Sequence, residues 1–318
     1  MINENAYTLG TKRSCIRELF EYGRARAAVV GADKVYDYSL GNPSIPAPAE
    51  VNETVAALLQ DTDPLALHGY TSAVGDLATR QAIADDLNAR YNANAKPGDF
   101  FITCGAAPGL CAVFGALSVP NAEILAVAPF FPEYRPFAES AGFAFRMVAP
   151  DIPDFQINLE ALEEAITANT QAVIINSPNN PSGTVYSRET LTALGAILTE
   201  KSEKFRHPIY IISDEPYREL SYDGTEVPFI PGIYKNTVVC YSYSKSLSLP
   251  GERIGYVYVP ASAQDAPALL AAVAGSARRM GHVCAPSLWQ KVIARCTHLR
   301  PDLISYDKNR RTLYDGLV

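Results

Sequence analysis

The sequence predicts an α/β fold: a mainly parallel sheet with one antiparallel strand and helices on both faces. Three observations carry that expectation. Apolar runs alternate with helix-periodic segments from Asp76 to Val259, the pattern of strand–helix–strand units. The strand segments are near-continuous apolar runs, as expected where both sheet faces are covered. The last two strand candidates, Thr237 to Ser242 and Ile254 to Val259, lie only about ten residues apart, whereas a parallel crossover needs about a dozen or more. The last strand is therefore expected to run antiparallel, with Lys245 in the connecting loop.

The elements follow in order. An N-terminal arm, to about Asp37, is expected to hold one helix, because Cys15, Ile16, Leu19 and Phe20 recur at helical spacing and Ser14 can cap it. After the loop LGNPSIPAP comes a helix near Ala49 to Leu59, then the loop HGYTSAVG. Helix Asp76 to Tyr91 leads to strand Phe100 to Thr103 and a helix from Ala107 to Leu117. Strand Glu123 to Val127 precedes a helix after Pro132, and strand Phe145 to Val148 precedes helix Leu159 to Ile166. Strand Ala172 to Ile175, helix Arg188 to Thr199 and strand Ile209 to Ser213 complete the alternation. Helices near Ala266 to Ala277 and Pro286 to Cys296 come after the antiparallel strand, and a third starts near Asp302.

Composition narrows the class. The 318 residues, 48% apolar and 19% charged, suit an ordinary globular protein with room for more than one domain. A net charge of −7 and a pI near 5.2 argue against a nucleic-acid or anionic-membrane surface as main partner. The N-terminus lacks a signal-like apolar segment, and no apolar run approaches the roughly 20 residues of a membrane span. Six scattered cysteines without a CxxC pair fit free thiols in a reducing cytoplasm. His68, His207, His282 and His298 lack metal-ligand spacing, so no metal is expected.

In an open α/β sheet, ligands bind outside the carboxyl ends of the strands, and the chemically suggestive residues fall there. Lys245, in YSYSKSLSLPGERIGY, follows a strand, with Ser242 and Ser244 before it and Arg253 after it. A lysine so placed can form an imine with an aldehyde cofactor once burial lowers its pKa. Asp214 and Tyr217, in YIISDEPY, end another strand. The carboxylate can hold a pyridine nitrogen protonated, and the phenol can reach a ring oxygen. CGAAPG, Cys104 to Gly109, is a strand-to-helix turn whose N–H groups suit a phosphate, with Arg253 as a bidentate partner. It is not GxGxxG, so no dinucleotide fingerprint is present. Phe131 can stack on an aromatic ring, and Asn180 can donate to a ring oxygen or a carboxylate. Taken singly, each residue also has an ordinary structural reading: a solvated lysine, a turn-capping Asp, a wet-tipped tyrosine, tight turn packing, a structural ion pair, a core Phe, an Asn-Pro turn. Their joint position at strand ends favours a pyridoxal phosphate site.

The motifs SPNNPSG, SDEPY and SYSKSLSLPGERIG, in that order, resemble the Asn-Pro-x-Gly, Asp-x-x-Tyr and Ser-x-Ser-Lys…Arg motifs of class I/II aminotransferases, aspartate/aromatic aminotransferase-like enzymes of fold type I. The resemblance implies pyridoxal 5'-phosphate as cofactor and ping-pong transamination between an amino acid and a 2-oxo acid. Lys245 is then the Schiff-base lysine and general acid/base, Asp214 the partner of the pyridine nitrogen, Tyr217 and Asn180 the partners of the ring oxygen, and Phe131 the stacking aromatic. Gly105, Ala106, Ala107, Ser242, Ser244 and Arg253 form the phosphate cup. Tyr70 matches a tyrosine that reaches the neighbouring subunit's phosphate, implying a homodimer, and Gly41 and Asn42, with Asn180, line the substrate pocket. Residues 1–45 are expected to be the N-terminal arm and part of the small domain, 46–285 the large cofactor-binding domain, and 286–318 the start of a C-terminal small domain. The chain thus reads as a C-terminally truncated fragment, expected to form the imine but transaminate poorly, since the family's carboxylate-binding arginine lies beyond residue 318. Arg278 and Arg279 read as surface helix residues. Rival readings are a C–S β-lyase on the same fold, a non-catalytic regulatory domain binding the same cofactor, and a nucleotide-binding α/β protein.

Overall fold

The structure, a computed structural model, describes residues 1–11 and 15–318; the expected Ser14 cap lies outside the described residues. The chain divides into two compact units, Met1–Ser44 and Ile45–Val318. In the first unit α1 (Glu4–Thr11) and α2 (Cys15–Val30) stand where one helix is expected. The additional α1 has no apolar periodicity to announce it. It is held locally, by the Asn3 side chain accepting from Ala6 N at 3.0 Å.

The second unit begins with α3 (Ala49–Asp61), α4 (Pro64–His68) and α5 (Leu77–Tyr91). The short α4 also goes beyond the sequence-based expectation. Asp63 caps it by accepting from Ala66 N at 3.2 Å, and its Leu67 is buried. Strands β1 (Phe100–Thr103), β2 (Glu123–Val127), β3 (Ala144–Val148), β4 (Thr170–Asn176) and β5 (Tyr210–Asp214) then alternate with helices. Those helices are α6 (Ala106–Leu117), α7 (Tyr134–Ser140), α8 (Leu159–Ala165) and α9 (Arg188–Phe205). After β6 (Thr237–Ser242) come the four-residue α10 (Tyr243–Ser246) and β7 (Gly255–Tyr258), then α11 (Ala266–Arg279), α12 (Ser287–Cys296) and α13 (Leu303–Leu317). Lys245 thus sits in a single helical turn rather than an irregular loop.

Among the described residues the strands form one seven-stranded sheet in the order β1-β7-β6-β5-β4-β2-β3. β7 is antiparallel to both β6 and β1, so the other six share one direction. The expected antiparallel strand is therefore real, and it lies inside the sheet. Side chains alternate between the faces. Ile174, Ile212, Val238 and Cys240 join Phe114 of α6 and Val273 of α11 in one core layer. Val173, Ile175 and Ile211 face Leu191 and Leu194 of α9, while Val239 and Tyr241 join Ile83 of α5 and Val292 of α12. With helices on both faces, almost every residue of β1, β4, β5, β6 and β7 is buried, while the edge strand β3 is only partly covered. Burial of each Val, Leu or Ile side chain is worth about 1.5–3 kcal/mol.

Register brings the carboxyl ends of the parallel strands to one rim. Asn176 stands opposite Asp214, and Asp214 opposite Cys240. Gly255 stands opposite both Ser242 and Thr103. That rim carries the polar motifs. No helix among the described residues is long and apolar enough to cross a membrane.

Candidate active site

Asp214 ends β5 with its side chain on the α6 face, the alternation that places Ile212 there. It is 5% exposed, and its Oδ2 accepts from the Tyr134 hydroxyl at 2.6 Å. Its Oδ1 is buried with no hydrogen-bond partner. Burial pushes the Asp214 carboxyl up to about 7, the Tyr134 hydrogen bond draws it back in part, and neighbouring Glu215 adds to the rise. A buried acceptor without a donor costs about 1–3 kcal/mol. A protonated ring nitrogen would supply both the missing donor and the compensating charge.

Tyr134 was not singled out in the sequence, where it is one more aromatic in APFFPEYRP. It is 1% exposed at the start of α7. Burial, then the Asp214 charge, push its pKa well above the ordinary phenol range, so it remains a donor. Phe131, half-buried, meets the Tyr134 ring edge-on with centroids 5.6 Å apart.

Asn176 is a second residue that sequence reasoning passed over. Buried at the end of β4, its Nδ2 donates to the Asp214 carbonyl at 2.7 Å, and its Oδ1 accepts from Asn180 N at 2.6 Å. One side chain thereby ties the SPNNPSG loop to the strand that carries Asp214. The available signal was a polar residue closing an apolar strand. Asn180 Nδ2 in turn donates to the Tyr217 hydroxyl at 3.4 Å. Burial and the Asp214 charge raise the Tyr217 phenol, against the lowering effect of Asn180. Asn180 and Tyr217 open onto a cleft of about 520 Å³ that reaches Tyr222 and Arg310. Arg310 is engaged there by Asp223 and Asp307.

The turn after β1 and the turns around β7 meet through two glycines. Gly105 has φ +91°, and a Cβ on it would lie 2.6 Å from Arg253 Nη2; the guanidinium rests directly on the glycine. A Cβ on Gly255 would lie 2.2 Å from the Tyr241 carbonyl oxygen and 3.0 Å from Gly105 Cα. Only glycine permits that approach. Ala106 and Ala107 open α6, whose first-turn N–H groups favour an anion. Ser242 Oγ accepts from Ser244 N at 3.1 Å and lies 2.6 Å from Ser244 Oγ, capping the turn that holds Lys245. Lys245 is half-buried, and burial lowers its ammonium below the usual lysine range.

The second unit therefore assembles Asp214, Tyr217, Asn180 and Phe131 on one part of the rim. Gly105, Ala106, Ala107, Ser242, Ser244, Lys245 and Arg253 gather where β1 and β6 end and β7 begins. Tyr70 is 90% exposed, four residues ahead of Val74, whose carbonyl accepts from Ile102 N of β1 at 3.0 Å. Gly41 and Asn42 are exposed residues of the first unit. Arg278 and Arg279 are exposed at the end of α11. Among the described residues no group of three or more His, Cys, Asp or Glu is placed to hold a metal.

A family model described as aminotransferase class I and II matches residues 34–317. An aspartate aminotransferase of Thermotoga maritima is 33% identical over 237 residues, 74% of this chain and 60% of its own length. The chain thus spans less than two thirds of that relative. A crystal structure of an amino transferase from Eubacterium rectale superposes with a TM-score of 0.96 at 54% identity, covering 100% of this chain and 80% of the other. An aminotransferase structure from Mycobacterium tuberculosis gives a TM-score of 0.84 at 27% identity, with 97% and 77% coverage.

Proposed function

The chain belongs to the aminotransferase class I and II family, and from that premise we propose that it binds pyridoxal 5'-phosphate and transfers an amino group between an amino acid and a 2-oxo acid. The observation that carries this reading is the buried, partnerless Oδ1 of Asp214. When bound, the cofactor supplies an aldehyde carbon and an electron-withdrawing ring. Asp214 holds the proton on the ring nitrogen, and Tyr134 keeps its carboxylate oriented. Tyr217 and Asn180 bind the ring oxygen, and Phe131 covers a ring face. Gly105, Ala106, Ala107, Ser242, Ser244 and Arg253 bind the phosphate. Asn180 also lines the substrate pocket. Tyr70, exposed on its own chain, serves the phosphate cup of a second copy in a homodimer.

Lys245 anchors the cofactor through Nζ. Burial lowers its ammonium below the usual lysine range, so more of its amine is unprotonated and, once the substrate has displaced it, would be available to take the proton from the substrate Cα and redeliver it. The first 2-oxo acid leaves before the second enters, so one set of residues serves both halves of a ping-pong cycle. We place this activity in the cytoplasm, in keeping with the free thiols of Cys104, Cys111, Cys240, Cys284 and Cys296.

The test is an absorbance spectrum of the purified chain with pyridoxal 5'-phosphate, before and after borohydride, repeated on Lys245→Ala. The expected result is a visible band that borohydride bleaches, with a reduced adduct on Lys245, and neither in the variant. An unchanged spectrum in Lys245→Ala overturns the anchor. Oxo-acid-dependent turnover, set against release of pyruvate and ammonia, then separates transamination from β-elimination.

A further inference from the structure

The motifs around Lys245 and Asp214 contain residues that the proposed site leaves unused: Ser246, Tyr241, Glu215, Arg218 and Glu219. The structure joins them on the sheet face opposite Asp214. Tyr241 belongs to the core layer beneath α5 and α12, whereas Tyr134, the partner of Asp214, belongs to the layer beneath α6 and α11. Tyr241 Oη lies 2.8 Å from Ser246 Oγ and 2.8 Å from Glu219 Oε2. Glu219 Oε1 accepts from Arg90 Nη1 at 2.9 Å. The Arg218 guanidinium lies over the Tyr241 ring, 4.7 Å from its centroid, and is ion-paired with Glu215. The space among these groups is about 10 Å³, no more than a single water needs. It admits no ligand.

The chemistry fixes the direction of each bond. Burial, and after it the Glu219 carboxylate, push the Tyr241 phenol well above its ordinary range, so the phenol keeps its one proton. A carboxylate only accepts, so that proton goes to Glu219, and Tyr241 accepts from the Ser246 hydroxyl. Ser246 is the neighbour of Lys245 in a helix of four residues, too short to hold itself together. The serine pair Ser242–Ser244 ties the start of that turn, and Ser246 ties its end to the interior.

We infer that the Ser246–Tyr241–Glu219 relay is a positioning device that fixes the turn bearing Lys245 and so sets where its amine is presented. The inference rests on the reading of Lys245 as the cofactor-anchoring lysine. Tyr241→Phe removes both relay bonds but keeps the ring under Arg218, and Ser246→Ala removes one donor. Two measurements on the purified chain test it. One is the rate of borohydride-trapped adduct formation at Lys245 with pyridoxal 5'-phosphate, read by mass spectrometry. The other is competitive acetic-anhydride labelling of Lys245 against pH in cofactor-free protein.

Both variants are expected to trap about tenfold more slowly, the size of a modest loss of orientation. Their labelling midpoints should move upward, toward that of an exposed lysine, and Ser246→Thr should recover both readouts. Trapping rates and labelling midpoints at wild-type values in both variants overturn the relay. So does a slowing that follows lost thermal stability and is not reversed by Ser246→Thr. A wild-type chain that forms no Lys245 adduct overturns the cofactor reading instead, and the labelling midpoints then decide the relay alone.

Discussion

Two polar clusters flank the carboxyl ends of β5 and β6, both buried and both ionisable, yet they are built on opposite terms. Around Arg218 the groups answer one another, Arg218 Nη2 through its ion pair with Glu215 rather than a hydrogen bond. Glu215 takes the guanidinium and the Ser213 hydroxyl at 2.7 Å, Tyr256 Oη accepts from Arg218 Nη1 at 3.2 Å, and Glu219 accepts from Tyr241 and Arg90. Around Asp214 one oxygen is held at 2.6 Å by Tyr134 and the other is left without a partner. The first arrangement is that of a scaffold. On the proposed reading, the second keeps a carboxyl group ready for a ligand that brings its own donor. The comparison teaches that pairing, rather than burial alone, separates a structural polar cluster from a binding one.

Arg218→Ala should have the largest effect on stability. It strands the Glu215 carboxylate in the interior, and breaking a buried pair costs about 3–5 kcal/mol; urea unfolding should register a loss of that order. Asp214→Asn should act with the opposite sign. It removes a buried charge that has no cation, so the cofactor-free chain should be as stable or more so. Affinity for pyridoxal 5'-phosphate should drop roughly tenfold to a hundredfold, the worth of a hydrogen bond to a charged group. Equal destabilisation by the two substitutions would erase the distinction between the clusters.

Asp214 also predicts a pH dependence. Its folded pKa of about 7 lies above the unfolded value near 3.9. As pH rises through that window the unfolded carboxyl ionises freely while the folded one resists. Asp214 therefore makes the cofactor-free chain progressively less stable from about pH 4 to about pH 7, with no further change above. Denaturation midpoints for wild type and Asp214→Asn across that range should converge at the acid end and separate toward neutrality.

The smallest expected effect is that of Tyr134→Phe. It removes the hydrogen bond that holds the Asp214 carboxyl down, so the separation of the two stability curves should extend to higher pH. Cofactor affinity should weaken by a few-fold, in line with a single hydrogen bond of about 1 kcal/mol. Curves that coincide with wild type would place the orientation of Asp214 elsewhere.

How far the sequence could be read follows the range of each interaction. The strands were legible because a doubly covered strand must be apolar throughout, and the direction of β7 because a short connection cannot cross a sheet in parallel. The placement of Lys245, Asp214, Gly105 and Arg253 at strand ends followed from those elements. α4 escaped notice because five residues carry too little periodicity. Tyr134 and Asn176 escaped because their signal is a partner: Tyr134 lies 80 positions from Asp214, and Asn176 lies 38.

The sequence by itself determined the α/β alternation, the lone antiparallel strand and the residue types available at the rim. These depend on local periodicity and on the chemistry of single side chains. Only the tertiary structure decided which of Asp214's oxygens is held and which is left open. It also decided which of the tyrosines beside Lys245 carries its turn, and that Gly255 lets the Gly105 turn lie against the start of β7. Those outcomes depend on register and on side chains distant in the chain meeting in an interior where every buried polar atom must find, or lack, a partner.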